Sequence, residues 1–214
     1  MCGRYVLFSA MEQLVGHVDS ALPGWHSPQV VDTEPLRPNY NVAPTHIVPI
    51  VRMFRGHPTI GPAQWGYPPK TIFNARGETC FDKPTFDGSI PCAFVMNGWY
   101  EWVDKTPYFT SRADGEPLCV AGLCKVMDGV LYATIVTVAA VPELTWLHHR
   151  MPRLLGSGEL EQWLGGTDLP ALSQSIDAQL VQQFALTSRR VSREVGKVAN
   201  NHPGLMEQVE DKEE

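Results

Sequence analysis

The residue with the most distinctive chemistry is the cysteine at the second position. Cys2 directly follows the start methionine, so removal of Met1 would leave it as the N-terminal residue. One carbon would then carry a thiol of pKa about 8.5 and an α-amine of pKa roughly 7.7–8.0. Such a pair captures aldehydes, because the amine forms an imine and the thiol closes on it to give a five-membered thiazolidine. An isolated Met-Cys pair is more simply an ordinary N-terminus, so the prediction depends on the residues downstream.

Four polar motifs follow one another along the chain. They begin at Cys2, Asn74, Gly98 and His148, and they read CGRY, NARGET, GWYEW and HHRMP. Taken singly, Asn74 is typical of a turn or helix cap, Glu101 of a solvent-facing strand position and His148 of a surface histidine. Several such motifs in a fixed order along one chain are far more specific than any of them alone.

The ordered set of motifs resembles the SRAP family, the SOS response-associated peptidase-like or abasic-site processing proteins. The resemblance extends from Cys2 to about Leu205 and includes residues 40–44 (YNVAP), 65–66 (WG), 83–84 (KP), 134–137 (TIVT) and 191–198 (VSREVGKV). It implies a protein that binds abasic sites in single-stranded DNA and forms a covalent thiazolidine crosslink through Cys2 after removal of Met1. The crosslink would shield the lesion from strand scission, because it removes the imine that drives β-elimination.

The resemblance also assigns catalytic roles by position. Cys2 is the expected nucleophile, and Asn74 is expected to hold the reacting sugar or the Cys2 amine through amide hydrogen bonds. Glu101 is expected to move protons between amine, sugar hydroxyl and imine, for which a raised pKa would be suitable. His148 is expected to protonate the sugar ring oxygen during ring opening, or to contact the neighbouring phosphate.

Further residues are predicted to bind DNA. Arg4 and Arg76 are expected to hold flanking phosphates as bidentate forks, and Arg150 to belong to the same basic face. Asn41 and Trp65 are assigned to the DNA channel, with the Trp65 ring offering a surface for a base. Tryptophans at such positions are also typical of the core, so both interpretations of Trp65 stay open. No cofactor or metal is expected.

Three features depart from the family pattern and lower the predicted affinity for DNA. Only seven residues (67–73) separate the Trp65-Gly66 pair from Asn74, where the family has a longer, tryptophan-containing loop. His149 stands where the family usually has an aspartate. Residues 89–91 (SIP) replace a basic stretch. None of these changes touches the thiol and amine chemistry of Cys2.

Two other functions remain open from the sequence. The first is a cysteine-type peptidase or autopeptidase, because an N-terminal cysteine with a downstream histidine and asparagine can be arranged as a protease-like set. The second is a non-catalytic protein of the same fold that binds single-stranded DNA. Retention of all four chemical residues argues against the second.

Composition and charge limit the possible fold class and cellular compartment. The chain has 214 residues, 43% hydrophobic and 19% charged, with a net charge of −6, of which residues 207–214 contribute −4. Five cysteines in neither a metal-ligand nor a disulfide spacing indicate a reducing compartment. With no secretory signal or membrane span predicted, we expect a cytoplasmic monomer, associated with the nucleoid if the protein is bacterial or comes from a virus of a bacterial host. We predict one α+β SRAP-type domain over residues 1–206 and a disordered acidic tail over 207–214. The expected core is mostly antiparallel and barrel-like, with twisted sheets and a few peripheral helices.

Local patterns predict individual elements. Residues 9–12 (SAME) form a capping box before an amphipathic helix, residues 19–45 an ordered loop, and residues 46–54 and 59–65 a hairpin. Residues 92–102 are predicted as one strand, followed by strands at 107–112, 117–126 and 130–140. A helix is expected to begin at Ser157 and to end at Gly165, and another to span residues 171–184.

Overall fold

The computed structural model describes residues 2–31 and 37–210, and within these it contains fourteen strands and four α-helices. The strands are β1 (Tyr5–Leu7), β2 (Gln29–Val30), β3 (Asn39–Val42), β4 (Ile47–Phe54), β5 (His57–Trp65), β6 (Asn74–Arg76), β7 (Ile90–Met96), β8 (Gly98–Val103), β9 (Thr106–Arg112), β10 (Leu118–Met127), β11 (Val130–Ala139), β12 (Arg150–Pro152), β13 (Leu154–Leu155) and β14 (Leu186–Arg190). The helices are α1 (Met11–Ala21), α2 (Ser157–Leu164), α3 (Leu169–Gln174) and α4 (Ala178–Gln183).

The strands form two sheets, and the larger one closes on itself. Its main path runs β12-β11-β10-β7-β4-β5-β2, and β5 also pairs with β11 through Ala133 and Trp65. The strands β11, β10, β7, β4 and β5 therefore make a closed barrel, antiparallel except at that last seam. Beyond the seam β6 pairs with β11 in the same parallel sense, with Asn74 opposite Ile135. The predicted α+β class with a barrel-like, mostly antiparallel core is confirmed.

The smaller sheet has five strands in the order β14-β9-β8-β1-β3. One of its faces packs on the barrel core, in which Tyr5 and Trp99 join Trp65 and Phe94. The other face carries a second apolar cluster, which buries Val6, Tyr100, Phe109, Val191, Val195 and Leu205. Side chains alternate between the faces of a strand, so neighbouring residues of β8 point into different cores.

The chain passes from one sheet to the other at Asn97, where the sequence had predicted a single strand over residues 92–102. Asn97 directly follows β7, and its side-chain oxygen accepts hydrogen bonds from the backbone N–H groups of Phe8 and Ser9 at 2.9 and 3.2 Å. Gly98 follows with a φ of 155°, and a Cβ there would lie 2.4 Å from the carbonyl oxygen of Thr110. The prediction of one strand was wrong because this buried side-chain network breaks the ladder between two apolar segments.

The ends of three helices also differ from the prediction. The cap of α1 lies one residue later than expected, since Gln13 Oε1 accepts the N–H of Ala10 at 3.1 Å while Ser9 Oγ accepts from Asn97. The helix expected over residues 171–184 is divided into α3 and α4. Asp177 begins the second of these by accepting the N–H of Gln179 at 2.8 Å, because its side chain satisfies a donor that a continuous helix would bond internally.

Other predicted elements are confirmed. The hairpin of β4 and β5 turns at Arg55-Gly56, where both residues have positive φ. Helix α2 begins at Ser157 and buries Leu160, Trp163 and Leu164. The prediction of a loop over residues 19–45 was wrong in part: α1 extends as far as Ala21, and the stretch contains β2 and β3, which form because they pair with β5 and β1. Residues 32–36 of that stretch lie outside the described residues.

Ordered contacts continue past the predicted domain end at residue 206. The N–H of Val209 donates to the carbonyl oxygen of Arg190 at 3.1 Å, so the start of the acidic segment lies beside β14. Residues 211–214 lie outside the described residues. Among the helices of residues 2–31 and 37–210, none is both long and apolar enough to cross a membrane. The same residues contain no group of three or more histidine, cysteine or acidic side chains arranged to hold a metal ion.

Candidate active site

Cys2 lies in the core at the start of the smaller sheet. It precedes β1, which is held between β3 and β8, and its side chain is fully buried. Burial raises the pKa of the Cys2 thiol, and the nearby carboxylate of Glu101 raises it further. The thiol is therefore held in its protonated form, and a reaction at sulfur must include removal of that proton.

Glu101 is a central residue of β8, and it is buried with 3% of its surface exposed. Its strand β8 pairs with β1, which begins three residues after Cys2, with the N–H of Tyr100 donating to the carbonyl oxygen of Arg4 at 2.9 Å, and the charge of Glu101 acts on the Cys2 thiol. Burial raises the pKa of the Glu101 carboxyl as well. A carboxyl group so placed exchanges a proton closer to neutral pH than an exposed glutamate does. The structure thus does not place Glu101 at the solvent-facing position that is usual for a single glutamate on a strand.

Asn74 reaches Cys2 from the other sheet. It is the first residue of β6, and its Nδ2 donates a hydrogen bond to the backbone carbonyl oxygen of Cys2 at 3.0 Å. Its Oδ1 is buried and has no hydrogen-bond partner among residues 2–31 and 37–210. A buried acceptor without a donor costs free energy, so this oxygen is suited to bind a group that arrives with the substrate.

His148 is fixed by the strand that follows it. Its Nδ1 lies 2.9 Å from the backbone nitrogen and 3.1 Å from the backbone oxygen of Arg150, and its ring stacks on that of His149 at 4.2 Å. The neutral ring can accept from the N–H and the protonated ring can donate to the carbonyl, so the contact persists in both states. Burial lowers the pKa of His148, which favours the neutral ring.

Tyr5 is a further candidate that the sequence reasoning did not single out. Its side chain is fully buried, its hydroxyl has no hydrogen-bond partner within the part of the chain that the structure describes, and burial, with a smaller contribution from Cys2, raises its pKa. The only sequence signal was its place three residues after Cys2 in the first motif.

Arg4 and Asn41 are engaged with the protein itself. Arg4 Nη1 donates to Asn41 Oδ1 at 2.6 Å and to the carbonyl oxygen of Val195 at 2.7 Å. Asn41 Nδ2 in turn donates to the carbonyl oxygens of Lys197 and Asn200, both at 2.9 Å. Asn41 is buried, so the structure places it as a link between β3 and the C-terminal segment and not on the predicted DNA channel.

Trp65 and Arg150 are also placed away from their predicted roles. Trp65 is fully buried, its ring packs against Tyr5 and Phe94, and its indole N–H donates to the carbonyl oxygen of Phe73 at 3.0 Å. Its faces are covered by the core, and no surface is left on which a base could stack. The core interpretation of Trp65 is the one that the structure supports.

Arg150 is buried, and its guanidinium group forms a bidentate ion pair with Glu78, donating to both carboxylate oxygens at 2.5 and 2.8 Å. It also donates to the carbonyl oxygen of Thr137. By contrast Arg76 is exposed, and it lies two residues after Asn74 on β6. Of the three arginines predicted to bind phosphate, Arg76 alone presents an exposed side chain.

Comparisons with known proteins agree with this architecture. The family model described as SOS response associated peptidase (SRAP) matches residues 1–198. The abasic site processing protein YedK of Escherichia coli is 29% identical, and the match covers 98% of this chain and all of that protein. The abasic site processing protein YMR114C of Saccharomyces cerevisiae is 30% identical over 82% of this chain, which spans 54% of that relative.

A solved structure shares the fold. The crystal structure of a Bacteroides thetaiotaomicron protein superimposes with a TM-score of 0.79 at 20% identity, covering 97% of this chain and all of that one. At this level of identity the likeness establishes the fold alone.

Proposed function

This chain belongs to the SOS response associated peptidase (SRAP) family, and on that premise we propose that it captures abasic sites in single-stranded DNA as a covalent adduct of Cys2. Several relatives carry the name abasic site processing protein. The observation that carries the proposal is the hydrogen bond from Asn74 to Cys2 next to the buried carboxyl group of Glu101. These groups surround the one residue that can offer both an amine and a thiol.

The reaction requires removal of Met1, which converts the amide nitrogen of Cys2 into an amine. The abasic sugar opens to its aldehyde, and the amine adds to C1′ to give a carbinolamine. Loss of water gives the imine, and the sulfur then bonds to the same carbon while the thiol proton passes to nitrogen. The product is a thiazolidine, and one water is released in total. Because C1′ is then saturated, the neighbouring C2′ proton is no longer acidified and strand scission by β-elimination stops.

The side chains have separate roles in this scheme. Glu101 delivers a proton to the departing hydroxyl of the carbinolamine and accepts one from the amine, a task suited to a carboxyl of raised pKa. Asn74 Oδ1 accepts a hydrogen bond from the reacting amine or from a sugar hydroxyl. His148 assists opening of the sugar ring, and Arg76 binds a flanking phosphate.

A peptidase is less well supported by the site. Cysteine peptidases depend on a thiol whose pKa is lowered by a neighbouring histidine. In this chain burial raises the pKa of Cys2, and Nδ1 of His148 is taken up by the backbone of Arg150. The aldehyde-capturing reaction does not need a resting thiolate.

The test uses protein whose loss of Met1 has been verified by intact mass. It is incubated with a single-stranded oligonucleotide that carries one abasic site, and then examined on a denaturing gel and by mass. The expected product is heat-stable and has the mass of protein plus DNA less one water. Cys2→Ala should give no stable product, although borohydride should trap an imine on its free amine. Cys119→Ala, which removes another buried thiol, should react like the wild type.

Two results would overturn the proposal. One is the lack of any shifted product from the wild type under conditions in which the aldehyde is demonstrably open. The other is an undiminished heat-stable band from Cys2→Ala without a reductant, because no thiazolidine can form there.

A further inference from the structure

The side chain of Trp146 is exposed beside the candidate site. The chain has six tryptophans, and Trp146 is 52% exposed whereas Trp65, Trp99 and Trp163 are buried. It lies two residues before His148, in the turn that leads into β12, and the buried side chains of Leu144 and Leu147 anchor this turn on either side. The position of the indole is therefore fixed by the fold although its surface is open.

The indole is connected to Glu101 through one residue. The ring of Trp146 meets that of Tyr108 in an edge-to-face contact, with centroids 5.1 Å apart and an interplanar angle of 85°. Tyr108 lies opposite Glu101 in the ladder between β8 and β9, and opposite Arg190 in the ladder between β9 and β14. Residues directly opposite in a ladder share a face of the sheet. A row of side chains thus runs from the buried carboxyl group to an exposed aromatic surface.

A cavity of about 350 Å³ opens against Trp146. Its apolar wall comes from Val181, Leu186 and neighbouring residues of α4 and β14, and its polar groups are those of Glu143, Gln182 and Ser188. Its size is at the lower end of the range for small-molecule sites, roughly 300–1,000 Å³. A lining that combines an indole and aliphatic side chains with amide, hydroxyl and carboxylate groups fits a flat heterocycle that carries hydrogen-bonding edges.

We propose that this cavity binds the base of a nucleotide adjacent to the abasic sugar, with the base stacked on Trp146. The inference rests on the proposed function. An abasic nucleotide offers a sugar and a phosphate but no base, so any base contact must come from its neighbours. The carboxylate of Glu143 disfavours a phosphate at the cavity and can accept a hydrogen bond from an exocyclic amino group. The neutral base therefore enters the cavity, and the backbone passes on the side of Arg190 and His149.

The test measures binding separately from chemistry. Fluorescence anisotropy is recorded with single-stranded DNA that carries a tetrahydrofuran abasic analogue, which has no aldehyde. Stacking of one base on an aromatic side chain predicts that Trp146→Ala raises Kd by about 5- to 100-fold. Trp146→Phe should retain most of the affinity. Phe54→Ala, which removes another exposed aromatic ring at the remote β4–β5 turn, should leave Kd unchanged.

Two more measurements separate a base contact from a structural role. With reactive abasic DNA, Trp146→Ala should raise the DNA concentration for half-maximal adduct rate and leave the maximal rate near that of the wild type. When the flanking bases are also replaced by abasic analogues, wild type and Trp146→Ala should bind equally well. The proposal is overturned if Trp146→Ala leaves Kd unchanged, if it lowers only the maximal rate, or if its effect persists without flanking bases.

Failure of this inference is distinguishable from failure of the proposed function. Adduct formation by the wild type with an unchanged Kd for Trp146→Ala would overturn the base site alone. The absence of both adduct and single-stranded DNA binding in the wild type would overturn the function, and the base site with it.

Discussion

The side-chain amide of Asn74 donates a hydrogen bond to the backbone carbonyl of Cys2 across 3.0 Å. This single contact joins β6, which extends the barrel, to the residue that precedes the first strand of the smaller sheet. Cys2 is therefore held where the two sheets meet. Because no described residue donates to the buried Asn74 Oδ1, the same side chain can hold Cys2 and accept a further hydrogen bond.

The two asparagines predicted at the site should respond differently to substitution. Asn74→Ala should slow adduct formation by about 10-fold or more, since it removes the contact that orients Cys2 and the acceptor for the substrate. Asn41→Ala should instead lower the free energy of unfolding by about 2–3 kcal/mol, because it removes several buried hydrogen bonds. Its adduct rate at a temperature where it is folded should stay near that of the wild type. Denaturant unfolding and adduct time courses measure both, and a reversed pattern would contradict these assignments.

Glu101 should destabilise the protein at neutral pH. Its pKa is raised in the folded state, so the folded protein binds more protons than the unfolded chain between the unfolded value of about 4.3 and the folded value. The free energy of unfolding should therefore rise as pH falls through the folded pKa, and the gain should be complete below the unfolded one. Glu101→Gln should lack this dependence and gain stability relative to the wild type as pH rises. Urea titrations from pH 4 to 8 test this, with exposed Glu116→Gln as the control; parallel curves for wild type and Glu101→Gln would contradict it.

Kinetics should separate Glu101 from His148. Glu101→Ala should slow both formation and release of the adduct, by about 10²–10⁴-fold, because one proton-transfer transition state serves both directions. His148→Ala should slow formation but leave the final yield high, since the free sugar opens spontaneously. A time course followed by a chase with excess unlabelled abasic DNA measures both rates. Release of the Glu101→Ala adduct at the wild-type rate would exclude the shared proton-transfer role.

The ion pair of Glu78 and Arg150 should stabilise the fold in a pH-dependent way. Hydrogen bonds from Arg150 lower the pKa of Glu78, so the contribution is present above the unfolded value of about 4.3 and is lost as pH falls through the folded pKa. Glu78→Gln should cost about 1–2 kcal/mol at pH 7, a moderate value because the carboxylate is partly exposed. Asp114→Asn, which breaks the more exposed pair with Arg112, should cost less than about 0.5 kcal/mol. Equal losses for the two variants in thermal unfolding would refute the distinction.

The acidic C-terminal segment should slow the approach of DNA. Residues 207–214 contribute −4 of the net charge of −6, and Val209 is hydrogen-bonded beside β14, whose Arg190 lies in the row that leads to Glu101. Replacing the five acids of this segment by glutamine or asparagine should raise the association rate at low ionic strength, and the gain should shrink as salt rises. Stopped-flow anisotropy with the tetrahydrofuran oligonucleotide measures it. The same rate for both proteins at low salt would contradict the prediction.

Much of the secondary structure follows from local sequence. The hairpin of β4 and β5 could be predicted because a glycine-containing segment separates two apolar strands. The turn forms at Arg55-Gly56, where both residues have the positive φ that a tight turn requires. Helix α2 could be predicted because Leu160 and Trp163 recur at the helical spacing. The break at Asn97 could not, because it depends on the backbone of Phe8 and Ser9, nearly ninety residues away in the chain.

The sequence by itself determined which chemical groups this chain carries, and the tertiary structure decided which of them are buried and which are exposed. A cysteine beside the start methionine would carry an amine and a thiol on one carbon once Met1 is removed, however the chain folds. Whether Trp65 or Trp146 presents its ring to solvent, and whether Arg76 or Arg150 is exposed, depends on partners such as Phe94 and Glu78 that other strands bring near. Residue type is a local property, whereas burial and pairing are set by contacts between segments that are distant in sequence.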